Sequence, residues 1–173
     1  MVTLGTLMQP VRLDGRTLTI DQVEAIARTN LPVELTESAW ARIRLARAVV
    51  ERAAARDDLV YGLSTGVGAF KRHGVPSAER AAFQERMIRT HAVGVGPALP
   101  TDQVRAIIAA RLNGMAVGLS SAGPDLVEAL LALLNRRVHP IVPALGSLGA
   151  ADLAQNAAIG AVLLGFGEAE YEG

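Results

Sequence analysis

The chain has 173 residues, half of them hydrophobic but only 3% aromatic, with seventeen basic side chains balanced by seventeen acidic ones. That neutrality argues against nucleic acid or an anionic membrane as partner. The absence of cysteine excludes a disulfide framework, a thiolate nucleophile and a thiolate metal site. With so few aromatics the core must be Ala, Leu, Val and Ile, which suits close-packed helices.

The three histidines, His73, His91 and His139, are too scattered for a metal cluster, and no metal is expected. Residues 1–10 lack the basic head and apolar core of a targeting segment. The most apolar region, residues 144–167, is interrupted by Asp152, Gln155 and Asn156, which lipid would penalise. The expectation is a cytoplasmic, mainly α protein with only small extended segments, near residues 11–20 and 138–143, folded as a single domain over 1–173.

In chain order, Asp14-Gly15 is a turn signal between short extended pieces. Thr19, with Gln22 three residues on, reads as a capping box. It opens a helix with Ile20, Val23, Ile26 and Ala27 on its apolar face, ended by Asn30-Leu31-Pro32. Thr36 caps a second helix to about Arg56, with Trp40, Ile43, Ala46, Arg47 and Val50 near helical spacing. Arg42, Arg44, Glu51 and Arg52 fall on its wetter side.

Residues 59–74 hold Gly62, Gly66 and Gly68, too many glycines in a short span for a regular helix. No lysine follows at the phosphate-binding spacing, so a phosphate cradle is not expected. Tyr61 at the loop's entry is either a ring that anchors the loop or a phenol able to act as a general base. Ser77 caps a helix to about His91, with Phe83, Met87, Ile88 and Val93 on its buried side. His91, at its end, reads from position alone as a capping or core histidine.

Thr101-Asp102 opens the next helix, with Val104, Ile107, Ile108, Arg111, Leu112 and Met115 at helical spacing. Asn113 in that apolar neighbourhood needs a hydrogen-bond partner. Residues 119–124 break the chain, and Pro124 suits the first turn of a helix through Asn135 striped by Val127, Leu130, Leu131 and Leu134.

Gly146-Ser147-Leu148-Gly149-Ala150-Ala151-Asp152-Leu153-Ala154 then lies between two apolar runs. Its small residues let the backbone bend sharply, and Asp152 suits the start of an apolar helix over 150–164. A helix N-terminus points amide donors at whatever sits there. The plain alternative is a tight turn between two core elements.

Together with Tyr61-Gly62-Leu63-Ser64-Thr65-Gly66-Val67-Gly68 and Thr90-His91-Ala92-Val93-Gly94-Val95-Gly96, this stretch resembles the histidine and aromatic amino-acid ammonia-lyase family, from about residue 10 onward. The resemblance implies that Tyr61 is an active-site acid/base on a flexible inner loop, with Ser64 and Val67 where the family has Asn and Phe. It also implies that Thr90 and His91 bear on the substrate side chain, closer to the Ser-His of the histidine type.

The family makes its electrophile, a methylidene-imidazolone, from Ala-Ser-Gly within Gly-Ser-x-Gly-Ala-Ser-Gly-Asp-Leu-Ala. The Gly nitrogen attacks the Ala carbonyl, and the Ser side chain loses water. The equivalent here is Gly149-Ala150-Ala151-Asp152, one residue shorter and without Ser-Gly. Leu148 after Ser147 would hinder closure, so no cofactor is expected from this sequence. Gln155 also replaces the family's Pro, and the Arg expected near residues 119–124 is absent.

The resemblance covers only the family's N-terminal domain. It implies a second polypeptide carrying the helical-bundle remainder, together with self-association. Three functional readings follow. The first is half of a divergent lyase, acting on an amino-acid-like small molecule with a better leaving group than a primary amine, such as a quaternary ammonium, with Tyr61 as base. The second is an ordinary lyase of the histidine-to-urocanate type whose fused cofactor is written as one residue. The third is a non-catalytic structural or regulatory subunit. Loss of Ser-Gly disfavours the second, and retention of Tyr61, His91 and Asp152 favours the first over the third.

Overall fold

The computed structural model describes residues 9–56 and 58–172. In chain order its elements are β1 (Val11–Leu13), α1 (Ile20–Thr29), β2 (Val33–Leu35), α2 (Glu37–Ala55), α3 (Arg80–His91), β3 (Val95–Ala98), α4 (Thr101–Ala116), α5 (Pro124–Asn135), β4 (Val138–Pro140), β5 (Pro143–Leu145), α6 (Leu153–Leu163) and β6 (Ala169–Tyr171). The fold is mainly α, as the periodicity predicts. Short strands are more numerous than expected, because two-stranded pairs between distant segments leave little local signal. Among the described residues no helix is long and apolar enough to cross a membrane.

Two compact units are present. The first takes the chain up to Ala46, Leu99–Pro140 and the end from Ala169; the second is Arg47–Ala98 with Ile141–Glu168.

In the first unit Thr19 and Gln22 form the expected capping box, and left-handed Asn30 (φ 55°) ends α1. The Asp14-Gly15 turn does not make a hairpin. β1 pairs with β2 in parallel, Val11 opposite Val33 and Leu13 opposite Leu35, with α1 as the crossover. Those four residues are buried while Arg12 and Glu34 pair across the open face at 2.9 Å. The Asp14 carboxyl instead accepts the amides of Arg16 and Thr17, which hold its pKa below the usual carboxylate value. Gly15 N–H donates to Asn113 Oδ1 at 3.0 Å, the partner that half-buried amide required.

Three burial expectations in this unit are corrected. Ile20 is exposed, because it lies at the first position of α1 rather than on the face that buries Ile26. Leu133 rather than Leu131 joins Val127, Leu130 and Leu134 in the core. Arg42 is not on a wet face: its guanidinium donates to Ala116 O (2.9 and 3.1 Å) and Asp14 O (2.6 Å).

Arg105 is the largest side chain in the core, 1% exposed, at a position the apolar pattern of α4 passes over. Its Nε and Nη2 donate to Ile26 O at 3.0 and 2.8 Å, and its Nη1 to Leu134 O at 3.0 Å. Both carbonyls belong to the last turns of their helices, where intrahelical donors run out. Burial pushes the Arg105 pKa down from the ordinary guanidinium value; Glu172 opposes this and Arg137 adds to it. Nearby, the Asn135 amide exchanges two 2.9 Å bonds with the backbone of Val33.

In the second unit α3 packs on α6 and β3 pairs antiparallel with β5. Ser77 does not cap α3. It begins a 3-10 turn, Ser77–Glu79, and α3 starts at Arg80. Val93, past the helix end, is exposed rather than buried.

Replacing Arg105 by Met strands the buried Ile26 carbonyl and leaves Leu134 O with the 3.4 Å bond from Arg137 N–H. We expect a loss of about 3 kcal/mol, read as a lowered urea midpoint. Arg105→Lys recovers only part of it, because an ammonium cannot fork to both carbonyls.

Candidate functional site

The residues singled out from the sequence all lie in the second unit. Its close packing depends on missing side chains. A Cβ at Gly160 of α6 would stand 3.3 Å from Ile88 of α3. One at Gly146 would stand 3.0 Å from Ala154 Cβ and 3.2 Å from Gly94 Cα. The turn after His91 therefore lies directly against the entrance to the central loop, and pairing of Val95 with Leu145 fixes that register.

The central loop is sharply bent. Gly146 and Gly149 have φ of 138° and 77°, and two non-glycine residues, Ala151 (φ 60°) and Asp152 (φ 43°), are also left-handed. Asp152 occupies the N-cap position of α6, yet its side chain makes no capping bond. The expectation that it caps the helix is corrected: its carboxylate accepts a hydrogen bond from Ser147 Oγ instead. Gly149 N–H donates to the same Ser147 Oγ at 2.9 Å. Asn156 Nδ2 donates to Ala151 O (2.9 Å) and Asp152 O (3.1 Å). The helix begins at Leu153, three residues later than expected, because left-handed Ala151 and Asp152 cannot belong to a right-handed helix.

Gly149, Ala150, Ala151 and Asp152 are all exposed, and Leu148 is 98% exposed. The loop's one hydroxyl, Ser147, is engaged on both sides and is followed by Leu148, not Gly. This donor set does not fit a cyclised Ala-Ser-Gly group.

Tyr61 is 64% exposed, and its hydroxyl accepts Gly68 N–H at 3.2 Å across its own loop. Positive φ at Gly62 and Gly68 makes that return possible. Ser64 and Thr65 are buried and bind loop backbone, Ser64 Oγ bridging Asp58 O and Val60 N–H. Gln84 Nε2 donates to Gly62 O at 2.7 Å and ties the glycine loop to α3, two turns before His91.

Thr90 turns its hydroxyl back onto Arg86 O (2.9 Å) and Met87 O (3.1 Å). His91 Nδ1 lies 2.7 Å from Met87 O. A carbonyl only accepts, so Nδ1 is the donor here, which leaves Nε2 as the acceptor whenever the ring carries a single proton. The structure thus joins the His91 turn to the central loop and tethers the Tyr61 loop to the same helix.

Sequence reading missed Gln84, and it named Ser147 and Asn156 without their bonds inside the loop; an amide or hydroxyl beside a glycine loop is the signal that could have found these engagements. It also missed an open cleft of about 400 Å³ lined by Arg89, Ala92, Ile141, Phe166 and Glu168. There the Arg89 guanidinium lies 3.7 Å over the Phe166 ring and pairs with Glu85. Among the described residues no cluster of His, Asp or Glu suits a metal ion.

The family model for aromatic amino acid lyases matches residues 18–173. A histidine ammonia-lyase of Koribacter versatilis is 41% identical over 167 residues, 96% of this chain and 32% of its own length. One of Gloeobacter violaceus is 40% identical over 162 residues, 93% of this chain and 32% of its own. The chain thus spans about a third of the length of these curated relatives.

The ergothioneine degrading enzyme of Treponema denticola, in complex with desmethyl-ergothioneine sulfonic acid, superposes with a TM-score of 0.92 at 30% identity, covering 95% of this chain and 33% of that one. Tyrosine aminomutase of Streptomyces globisporus gives 0.90 at 34% identity, covering 95% and 31%.

Gln84→Ala removes the tie between α3 and the glycine loop. Limited proteolysis should cut within residues 59–74 several-fold faster than in the parent chain, with the cutting pattern elsewhere unchanged.

Proposed function

This chain belongs to the aromatic amino acid lyase family, and we propose that it forms part of a lyase that eliminates a nitrogen leaving group from an amino-acid-like substrate without a methylidene-imidazolone. The observation that carries this reading is the central loop at the head of α6. It keeps its place against the His91 turn while offering no Ser-Gly pair and a Ser147 hydroxyl already bound to Asp152. Without an electrophile the substrate must supply a better leaving group than a primary amine. A quaternary ammonium is one, and ergothioneine, named for the Treponema denticola relative, carries such a group.

In this reading Tyr61 removes the proton β to the leaving group. Its phenol sits on an exposed glycine loop, one backbone hydrogen bond from release. His91 presents Nε2 as an acceptor for a donor on the substrate side chain, and Thr90, its hydroxyl folded back on α3, shapes the helix end beside it.

A second polypeptide packs on this chain in the active assembly, which self-associates in the cytoplasm. Neither nucleic acid nor membrane is a partner. Support for a covering chain is the apolar surface left open near the loop, with Val93, Val95, Leu145, Leu148 and Leu153 each more than half exposed.

Identity of 40–41% to histidine ammonia-lyases favours one second reading, histidine-to-urocanate chemistry with a fused cofactor. Denatured mass separates the two. A mass matching the sequence supports the first, and an extra residue's content less two waters supports the second. Native mass of the protein from its source should show a second polypeptide; a homo-oligomer alone argues for a non-catalytic subunit.

In the assembled protein, Tyr61→Phe should lower kcat by at least about a thousandfold with assembly unchanged. Unaltered turnover removes Tyr61 from the mechanism. His91→Leu should shift substrate preference toward apolar side chains by about tenfold in kcat/KM. An unchanged profile reduces His91 to a structural residue at the end of α3.

A further inference from the structure

The geometry points to Ser147 as a positioning residue that holds the Asp152 carboxylate off the first turn of α6. The chain contains its own reference for an ordinary helix start. Thr19 precedes α1 with φ −96° and ψ 163°, and its hydroxyl accepts the amide of Gln22. Asp152 precedes α6 with φ 43° and ψ 51° and caps nothing.

Aspartate is among the best capping residues, so its failure here needs a competitor. Ser147 is that competitor, donating to Asp152 Oδ1 while accepting Gly149 N–H. Asn156 pins the carbonyls of the same two left-handed residues from the helix side.

Asp152 therefore has two alternatives. In the first it is left-handed, bound to Ser147, and the amides of Ala154 and Gln155 lack a side-chain acceptor. In the second it is extended, and its carboxylate accepts one of those amides as Thr19 does at α1. Ser147 selects the first. The catalytic consequence rests on the lyase reading above: the first alternative keeps the helix end facing the loop uncapped and the bend of the loop intact. The structural claim is independent of that reading.

The test uses amide-resolved hydrogen exchange on the full chain. Ser147→Ala should speed exchange of the Gly149 amide about tenfold and slow that of Ala154 or Gln155 about tenfold, because one acceptor is lost and another gained. Ser147→Thr, which keeps the hydroxyl, should restore the parent pattern. If the loop merely loosens, all these amides speed up together, and the proposal is overturned. It is equally overturned if Ala154 and Gln155 are unaffected or if Thr fails to restore them.

In the assembled protein Ser147→Ala should reduce kcat about tenfold with KM little changed, and Thr should recover it. Absence of turnover in every form would defeat the lyase reading while leaving the exchange result to decide this one.

Discussion

The first unit depends on one guanidinium buried where two helices end. The last turns of α1 and α5 leave carbonyls without intrahelical donors, and the surrounding aliphatic core offers no water. Arg105 supplies three N–H donors to them from the second turn of α4. Its charge also lies at the negative ends of both helix dipoles, which offsets part of the cost of burying it. Aliphatic packing alone is permissive about register, whereas a planar fork satisfied by two specific carbonyls is not. Asn113 on Gly15, Asn135 on Val33 and Arg42 on Ala116 repeat the device, each using a long-range side chain to close a backbone gap.

This explains which parts of the fold were legible in the sequence. Thr19, Asn30 and Pro124 act within a few residues of themselves, so their signals survive without tertiary information. The parallel pairing of β1 with β2 was not legible, because Asp14-Gly15 is a local turn signal and strand pairing is decided by whichever segment the crossover helix delivers. Arg42 and Arg105 were misplaced or passed over for the opposite reason. Hydrophobic periodicity treats arginine as a mark of the wet face, and it cannot register a carbonyl arriving from another helix.

At the site, residue types were legible and their engagements were not. Tyr61, His91 and the small-residue loop stand out by composition and order. That Nδ1 rather than Nε2 of His91 is occupied follows only from Met87 O lying one helical turn back with the right rotamer. Asp152 is the clearest case. The rule that aspartate caps helices is sound, and it lost to a hydroxyl five residues upstream that the bend of the loop brings within reach. A local preference of this size is easily outcompeted by a tertiary hydrogen bond of similar strength.

The same bend constrains the chemistry that the loop can perform on the proposed reading. Cyclisation needs a nucleophilic amide folded onto a carbonyl two residues before it, with an intervening hydroxyl free to leave as water. Here the hydroxyl is Ser147, which accepts Gly149 N–H and donates to Asp152, and the residue after it carries the bulk of leucine. A group held from both sides is stabilised in its ground state, which raises rather than lowers the barrier to its loss. What remains is a bent loop next to an uncapped helix end. That arrangement can orient a substrate and place local positive potential beside it, but it cannot accept an electron pair. The burden of the elimination therefore moves to the substrate's own leaving group and to the base that opposes it.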